Sequence, residues 1–254
     1  MTTKPEESTA YTYFTLRRVL KIADILQKPK TKRLARIQKY SEGAKCAYRE
    51  LVTKPKFSLD TDRQAKLVRP LYMGLLTAEQ EDFARKRLIR ALENYGWRLG
   101  TGFLSTPFIL FVLEKIGIEY AYKLLENEEL PGWLVMPKNG ATTVWEDWEG
   151  DRASDQNAAS LNHYSKGAVC EWLMSEMCGI KVAGDNQFSL APKPGGSLTY
   201  AKAEYQSIYG KVSCGWEKTD DGYSYTVTVP ANTTAQLRLP DGRCETLQAG
   251  TYSF

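Results

Sequence analysis

The chain has 254 residues, 43% of them hydrophobic and 25% charged, with a net charge of +4. That size and composition fit one large globular domain or two smaller ones. No apolar run approaches the ~20 residues that a bilayer-spanning helix needs, so no membrane partner is expected.

The charge excess is small. Lys and Arg gather in KPKTKRLAR (28–36), which reads as a solvated helix face and turn. A nucleic-acid surface needs interleaved aromatics and more positive charge. The five cysteines show no C-x-x-C spacing, so they form neither a disulfide framework nor a zinc site and point to a reducing compartment. The N-terminal MTTKPEESTAYT lacks a basic n-region and an apolar h-region, and the expectation is a cytoplasmic protein. His163 is the single histidine. It excludes metal sites built on two or three imidazoles and leaves one imidazole base. No metal or cofactor is expected.

Residues 8–183 read as helices. Segment 9–27 carries Tyr11, Phe14, Val19, Ile22 and Ile25 near helical spacing, and 31–52 places Leu34, Ile37, Tyr40, Ala44, Ala47 and Leu51 on one face. A loop surrounds Pro55. The helix over 62–76 contains Pro70, which should kink or interrupt it. Thr77 and Gln80 form a capping box for 78–94, with Gly96 just past its end. Thr106-Pro107 opens a helix closed near Gly117, and a shorter one covers 118–127. A long helix follows Ser160 through Trp172 to about Gly179. That makes roughly seven helices.

The period changes from 3.6 to 2 near residue 184. SLTYAKAEY, GKVSCGWEK, YSYTVTVP, TAQLRLP and TLQAGTYSF are strand-like runs separated by turn residues such as D-D-G (220–222) and P-D-G (240–242). APKPGG (191–196) reads as the connection into this β domain. The organisation read from the pattern is a helical domain over 1–183 and an antiparallel β domain over 184–254.

Between the helices lies a weakly periodic stretch of about 30 residues, 131–162. Loops of that length inside a compact domain are functional or disordered, and its tryptophans argue for order. Within it, TVWEDWEGD (143–151) brings Glu146, Asp147, Glu149 and Asp151 together with Trp145 and Trp148. A carboxylate between indoles suits carbohydrate chemistry. The transition state is positively charged, and aromatic faces give a sugar ring an apolar platform. A surface turn anchored by two tryptophans explains the same spacing. His163 follows in SLNHY at a helix start that Ser160 could cap, either presented to a pocket or hydrogen-bonded in the core. R-L-G-T-G-F (98–103) is a tight loop without a phosphate-binding pattern.

GTGFLSTPFIL (100–110), GATTVWEDW (140–148), SLNHYSKGAVCEWL (160–173), LAPKPGGSLTYAKAEYQSIYGKVSCGW (190–216) and VPANTTAQLRLPDG (229–242) together resemble the bacterial α-L-rhamnosidases. The resemblance is collinear over nearly the whole chain. It implies part of an (α/α)6 toroid followed by a β-sandwich, and an inverting glycosidase acting on a rhamnose-containing glycoside or polysaccharide. It assigns Glu146 as the general base that activates water. His163 would contact the rhamnose hydroxyls, and Trp145 and Trp148 would shape the pocket. The family's general acid lies in an acidic motif containing Arg and Trp, and residues 1–130 carry no such motif. The resemblance therefore implies the C-terminal part of an enzyme, partnered by a missing N-terminal half. A non-catalytic carbohydrate-binding remnant and a different (α/α)-barrel glycosidase are the alternatives.

Overall fold

A computed structural model describes residues 5–54, 56–150 and 159–254. Pro55 and Asp151, both singled out in the sequence, lie outside the described residues. Contacts divide the chain into one unit ending at Val112 and another beginning at Leu113. Among the described residues, no helix is long and apolar enough to cross a membrane.

In the first unit, α1 (Pro5–Ile25) packs on α2 (Lys32–Thr53), and α3 (Gln64–Met73) on α4 (Ala78–Asn94). The capping box at α4 is present. Thr77 Oγ1 accepts from the Gln80 N–H and Gln80 Oε1 accepts from the Thr77 N–H. Gly96 takes a left-handed φ of +63° just past the helix. Pro70 lies inside α3 without interrupting it. The helix runs on to Met73 and ends at Gly74, also left-handed, so the proline sits in its last turn.

The inward face of α2 keeps the anticipated Leu34, Ile37, Ala44 and Leu51 as partly buried residues but is centred elsewhere. Ser41, Tyr48 and Val52 are buried, whereas Tyr40 is 59% exposed. A polar cluster fixes this rotation. The Tyr48 hydroxyl donates to Glu6 at 2.8 Å, and Glu6 in turn pairs with buried Arg69 at 3.0 Å. Burial, then the charge of Glu6, pushes the Tyr48 hydroxyl pKa up. Apolar-count reasoning favours Tyr40 over Ser41, but the hydrogen bond available to Tyr48 turns the helix.

A 3₁₀ turn at Thr106–Phe108 leads into α5 (Ile109–Ile116), followed by α6 (Ile118–Leu125) and the single turn α7 (Val135–Lys138). The long helix anticipated after Ser160 begins instead at Tyr164. It continues as α8 (Tyr164–Gly167), α9 (Val169–Trp172) and a π-helical turn over Leu173–Met177. It stops at Gly179, whose φ is +82° and whose missing Cβ would lie 2.2 Å from the Pro192 nitrogen.

Strand β1 (Ile180–Gly184) starts immediately, so 180–183 are strand where the pattern read as helix. The run is too short for its period to register. β2 (Gln187–Leu190), β3 (Tyr200–Ser207), β4 (Gly210–Thr219), β5 (Gly222–Val229), β6 (Thr234–Arg238), β7 (Cys244–Leu247) and β8 (Gly250–Ser253) complete two four-stranded sheets. Their orders are β1-β2-β6-β7 and β3-β4-β5-β8. All pairs are antiparallel except β2–β6, which is parallel, a departure from the fully antiparallel expectation. TLQAGTYSF divides at its A-G turn (249–250) into the end of β7 and all of β8, which lie in different sheets. Leu190, Val212, Val227, Ala235 and Leu237 are fully buried and alternate with more exposed neighbours.

APKPGG joins the two sheets rather than leading into them. Its Lys193 ammonium pairs with Glu114 and, at 2.6 Å, with Glu176. Glu176 also holds Lys181 at 2.6 Å, and the Trp172 indole N–H donates to Glu114. This network ties α5, the helical run and β1 together within the second unit.

Candidate functional site

Three hydrogen bonds zip residues 143–146 against 160–163. The His163 N–H donates to the Val144 carbonyl at 2.7 Å, and the Glu146 N–H to the Ser160 carbonyl at 2.8 Å. The Thr143 hydroxyl donates to the Leu161 carbonyl at 2.5 Å. Two motifs 14 or more residues apart are thereby laid side by side.

This pairing brings Glu146 and His163 together. The Ser160 N–H donates to Glu146 Oε2 at 3.0 Å, fixing the carboxylate. The other oxygen, Oε1, faces His163 Nε2 at 3.9 Å. The Glu146 side chain is 45% exposed, so water and a ligand can reach it. Asp147 and Glu149 are exposed neighbours.

His163 is itself the N-cap of α8. Its Nδ1 accepts from the Ser165 N–H at 3.2 Å and lies 3.0 Å from the Ser165 hydroxyl. With Nδ1 accepting, the ring proton belongs on Nε2, the nitrogen turned toward Glu146. The anticipated cap, Ser160, has another task. Its hydroxyl accepts from the Asn162 N–H and donates to the Asn162 carbonyl, closing a local turn.

The two tryptophans have different places. Trp145 is buried, with its six-membered ring over Gly150, where a Cβ would come within 2.2 Å of the indole. Gly150 also has a φ of +61°, so ring and backbone conformation both require glycine. Trp148 is half-buried and meets buried Trp133 edge-on, with centroids 6.2 Å apart. The Lys166 ammonium lies over the Trp148 ring at 4.3 Å. Trp133 is anchored in turn by its indole N–H, which donates to the Lys166 carbonyl at 3.1 Å.

Sequence reasoning passed over Lys166 and Trp133. Their signal was present. Lys166 lies in the helical turn that the lone histidine caps, and Trp133 opens the same loop. Among the described residues, no group of three or more His, Cys, Asp or Glu is arranged to hold a metal ion. The chemistry available is that of a fixed, solvent-reachable carboxylate beside an imidazole N–H, in a wall of indoles.

Residues 2–177 match the family model for the bacterial alpha-L-rhamnosidase 6 hairpin glycosidase domain, and residues 181–253 that for the bacterial alpha-L-rhamnosidase C-terminal domain. An alpha-L-rhamnosidase of Streptomyces avermitilis is 37% identical over 188 residues, covering 70% of this chain and 18% of that protein. One from Formosa agariphila is 36% identical over 203 residues, covering 76% and 22%. The crystal structure of the S. avermitilis alpha-L-rhamnosidase complexed with L-rhamnose superposes with a TM-score of 0.80 at 30% identity, covering 97% of this chain and 26% of that one. The alpha-L-rhamnosidase from Dictyoglumus thermophilum gives a TM-score of 0.85 at 26% identity, covering 96% and 31%. The chain thus spans less than a third of the length of each of these relatives.

Proposed function

The chain belongs to the bacterial α-L-rhamnosidase six-hairpin glycosidase family, and on that premise we propose that it supplies the general-base side of an inverting rhamnosidase site. Its substrate is a terminal α-L-rhamnose of a glycoside or polysaccharide. Glu146 takes a proton from the attacking water. His163 donates from Nε2 to a sugar hydroxyl, and Trp145 and Trp148 shape the pocket wall. An inverting reaction needs a second carboxyl group roughly 6.5–9.5 Å from the base, to protonate the leaving oxygen. That general acid is proposed to come from a segment outside this chain.

The observation that carries this reading is the posture of Glu146. One carboxylate oxygen is held by the Ser160 N–H, and the other is directed into the space it shares with His163 Nε2. A base so fixed meets its water without reorienting. The relatives add that similar chains are named α-L-rhamnosidases and that one is complexed with L-rhamnose. The end of α1 also supports a missing partner half, since Ile22, Ile25 and Leu26 are each more than half exposed. Apolar side chains grouped in this way suit a surface that another helix covers.

The test is hydrolysis of p-nitrophenyl α-L-rhamnoside by the chain alone and with a polypeptide carrying the first half of the toroid. The expected result is little turnover alone and turnover on complementation, abolished by Glu146→Gln. L-rhamnose binding without turnover in either case would favour a non-catalytic binding module instead. That second reading draws on the absence of the family's acidic motif from residues 1–130.

A further inference from the structure

Lys166 is 8% exposed, and lysine is rarely buried to that degree without an anionic partner. Among the described residues, no carboxylate or carbonyl accepts a hydrogen bond from its ammonium; what it has is the Trp148 ring face at 4.3 Å. A ring face interacts with the charge but accepts no conventional hydrogen bond, so N–H donors remain for water or a ligand. Burial lowers the pKa of this ammonium, against the opposing charges of Asp147 and Glu146. The group is therefore a partly buried donor kept within the field of the candidate base.

Its position is also fixed. The Lys166 carbonyl holds the Trp133 indole, Trp133 abuts Trp148, and Trp148 lies under the ammonium. Backbone and side chain of one residue thus set both indoles and aim a cation past them. The face of Trp148 that this cation covers is not open for a sugar to stack on. A partly buried ammonium within the field of a solvent-reachable carboxylate is suited to an oxygen-rich, uncharged ligand whose hydroxyls have lone pairs to offer.

We propose that Lys166 is a substrate-binding residue of the Glu146–His163 site, its ammonium donating a hydrogen bond to a hydroxyl oxygen of the bound sugar. The assignment rests on the rhamnosidase reading of that site. It adds a cationic donor to the imidazole N–H, and makes Trp148 the seat of the cation rather than a bare stacking platform.

The experiment is titration of the full chain with L-rhamnose, followed by calorimetry and ligand-observed NMR. Wild type is compared with Lys166→Met, which keeps volume and the backbone bond to Trp133, and with Lys166→Arg, which keeps charge and donors. The expected result is binding weakened at least about tenfold by Met and held within about threefold by Arg. A series of monodeoxy rhamnoses should contain one sugar that is penalised by wild type but not by Lys166→Met, which a merely structural role would not produce. If Lys166→Met fails to fold by circular dichroism, Lys166→Leu, which also has no donor, takes its place with the same expected ordering. Wild-type binding that Met or Leu leaves unchanged overturns this assignment alone. A wild-type chain that binds no L-rhamnose overturns the reading of the site and this inference with it.

Discussion

Glu146 and Ser160 exchange two hydrogen bonds. The Glu146 N–H donates to the Ser160 carbonyl, and the Ser160 N–H donates back to the Glu146 carboxylate. Backbone pairing sets the distance between the strips, and the side-chain bond sets the carboxylate's angle. Glu146→Asp keeps the charge but shortens the side chain by one methylene, so it cannot keep both the Ser160 bond and the same reach. In the complemented assay, the expected hydrolysis rate falls about 100-fold, the usual effect of ~1 Å misplacement. An Asp variant at the wild-type rate would show that the carboxylate's position is not critical.

His163 has two roles on its two nitrogens. His163→Asn retains a side chain able to accept from the Ser165 N–H, so its stability should stay within about 0.5 kcal/mol of wild type, while L-rhamnose binding weakens. His163→Ala should lose the cap as well, at about 1 kcal/mol. Urea unfolding and calorimetric titration separate the two roles. Equal binding by the wild type and Asn variant would remove His163 from the ligand.

Gly150 meets a double requirement, a left-handed backbone and an indole where its Cβ would be. Gly150→Ala must displace Trp145 or change the turn. The expected cost is about 1–3 kcal/mol in urea unfolding, with an altered tryptophan emission spectrum. An unchanged midpoint and spectrum would mean that Trp145 does not rest on Gly150.

Glu176 gives the second unit an acid-sensitive element. Burial alone would raise its pKa, but hydrogen bonds from Lys181 and Lys193, then their charges, hold it below the usual carboxylate range. A depressed folded-state pKa gives stability that is present above the unfolded value, about 4.3, and lost as pH falls through the folded value. Wild type should therefore lose stability below about pH 4.3 more steeply than Glu176→Gln. At neutral pH the variant should be less stable by about 1 kcal/mol, since Lys181 and Lys193 lose a charged acceptor but Lys193 keeps Glu114 and both reach solvent. Parallel stability–pH curves for the two proteins would contradict this.

The elements with strong local signals were legible in the sequence. Thr77 with Gln80 marked a helix start because a capping box is made by residues three apart. Asp220-Asp221-Gly222 marked the β4–β5 hairpin because a turn is built from adjacent residues. What escaped depends on contacts distant in sequence. The rotation of α2 follows from Tyr48 reaching Glu6, 42 positions away. The end of the helical run at Gly179 follows from the approach of Pro192. At the site, the motifs singled out Glu146 and His163, but their pairing and the change of cap from Ser160 to His163 come from the 143–146 and 160–163 zipper. Lys166 was overlooked because a lone lysine reads as solvated until its burial is seen.

The measurement closest to the central claim is the rate of p-nitrophenyl α-L-rhamnoside hydrolysis by Glu146→Gln, complemented with the first half of the toroid, alongside its affinity for L-rhamnose. The amide can still accept from the Ser160 N–H, so the site should persist and L-rhamnose affinity should stay within a few-fold of wild type. The rate should fall at least about 100-fold, the low end of what a positioned general base contributes. Wild-type turnover by Glu146→Gln, or full turnover by the isolated chain that survives this substitution, would contradict both the role of Glu146 and the need for an acid from outside the chain.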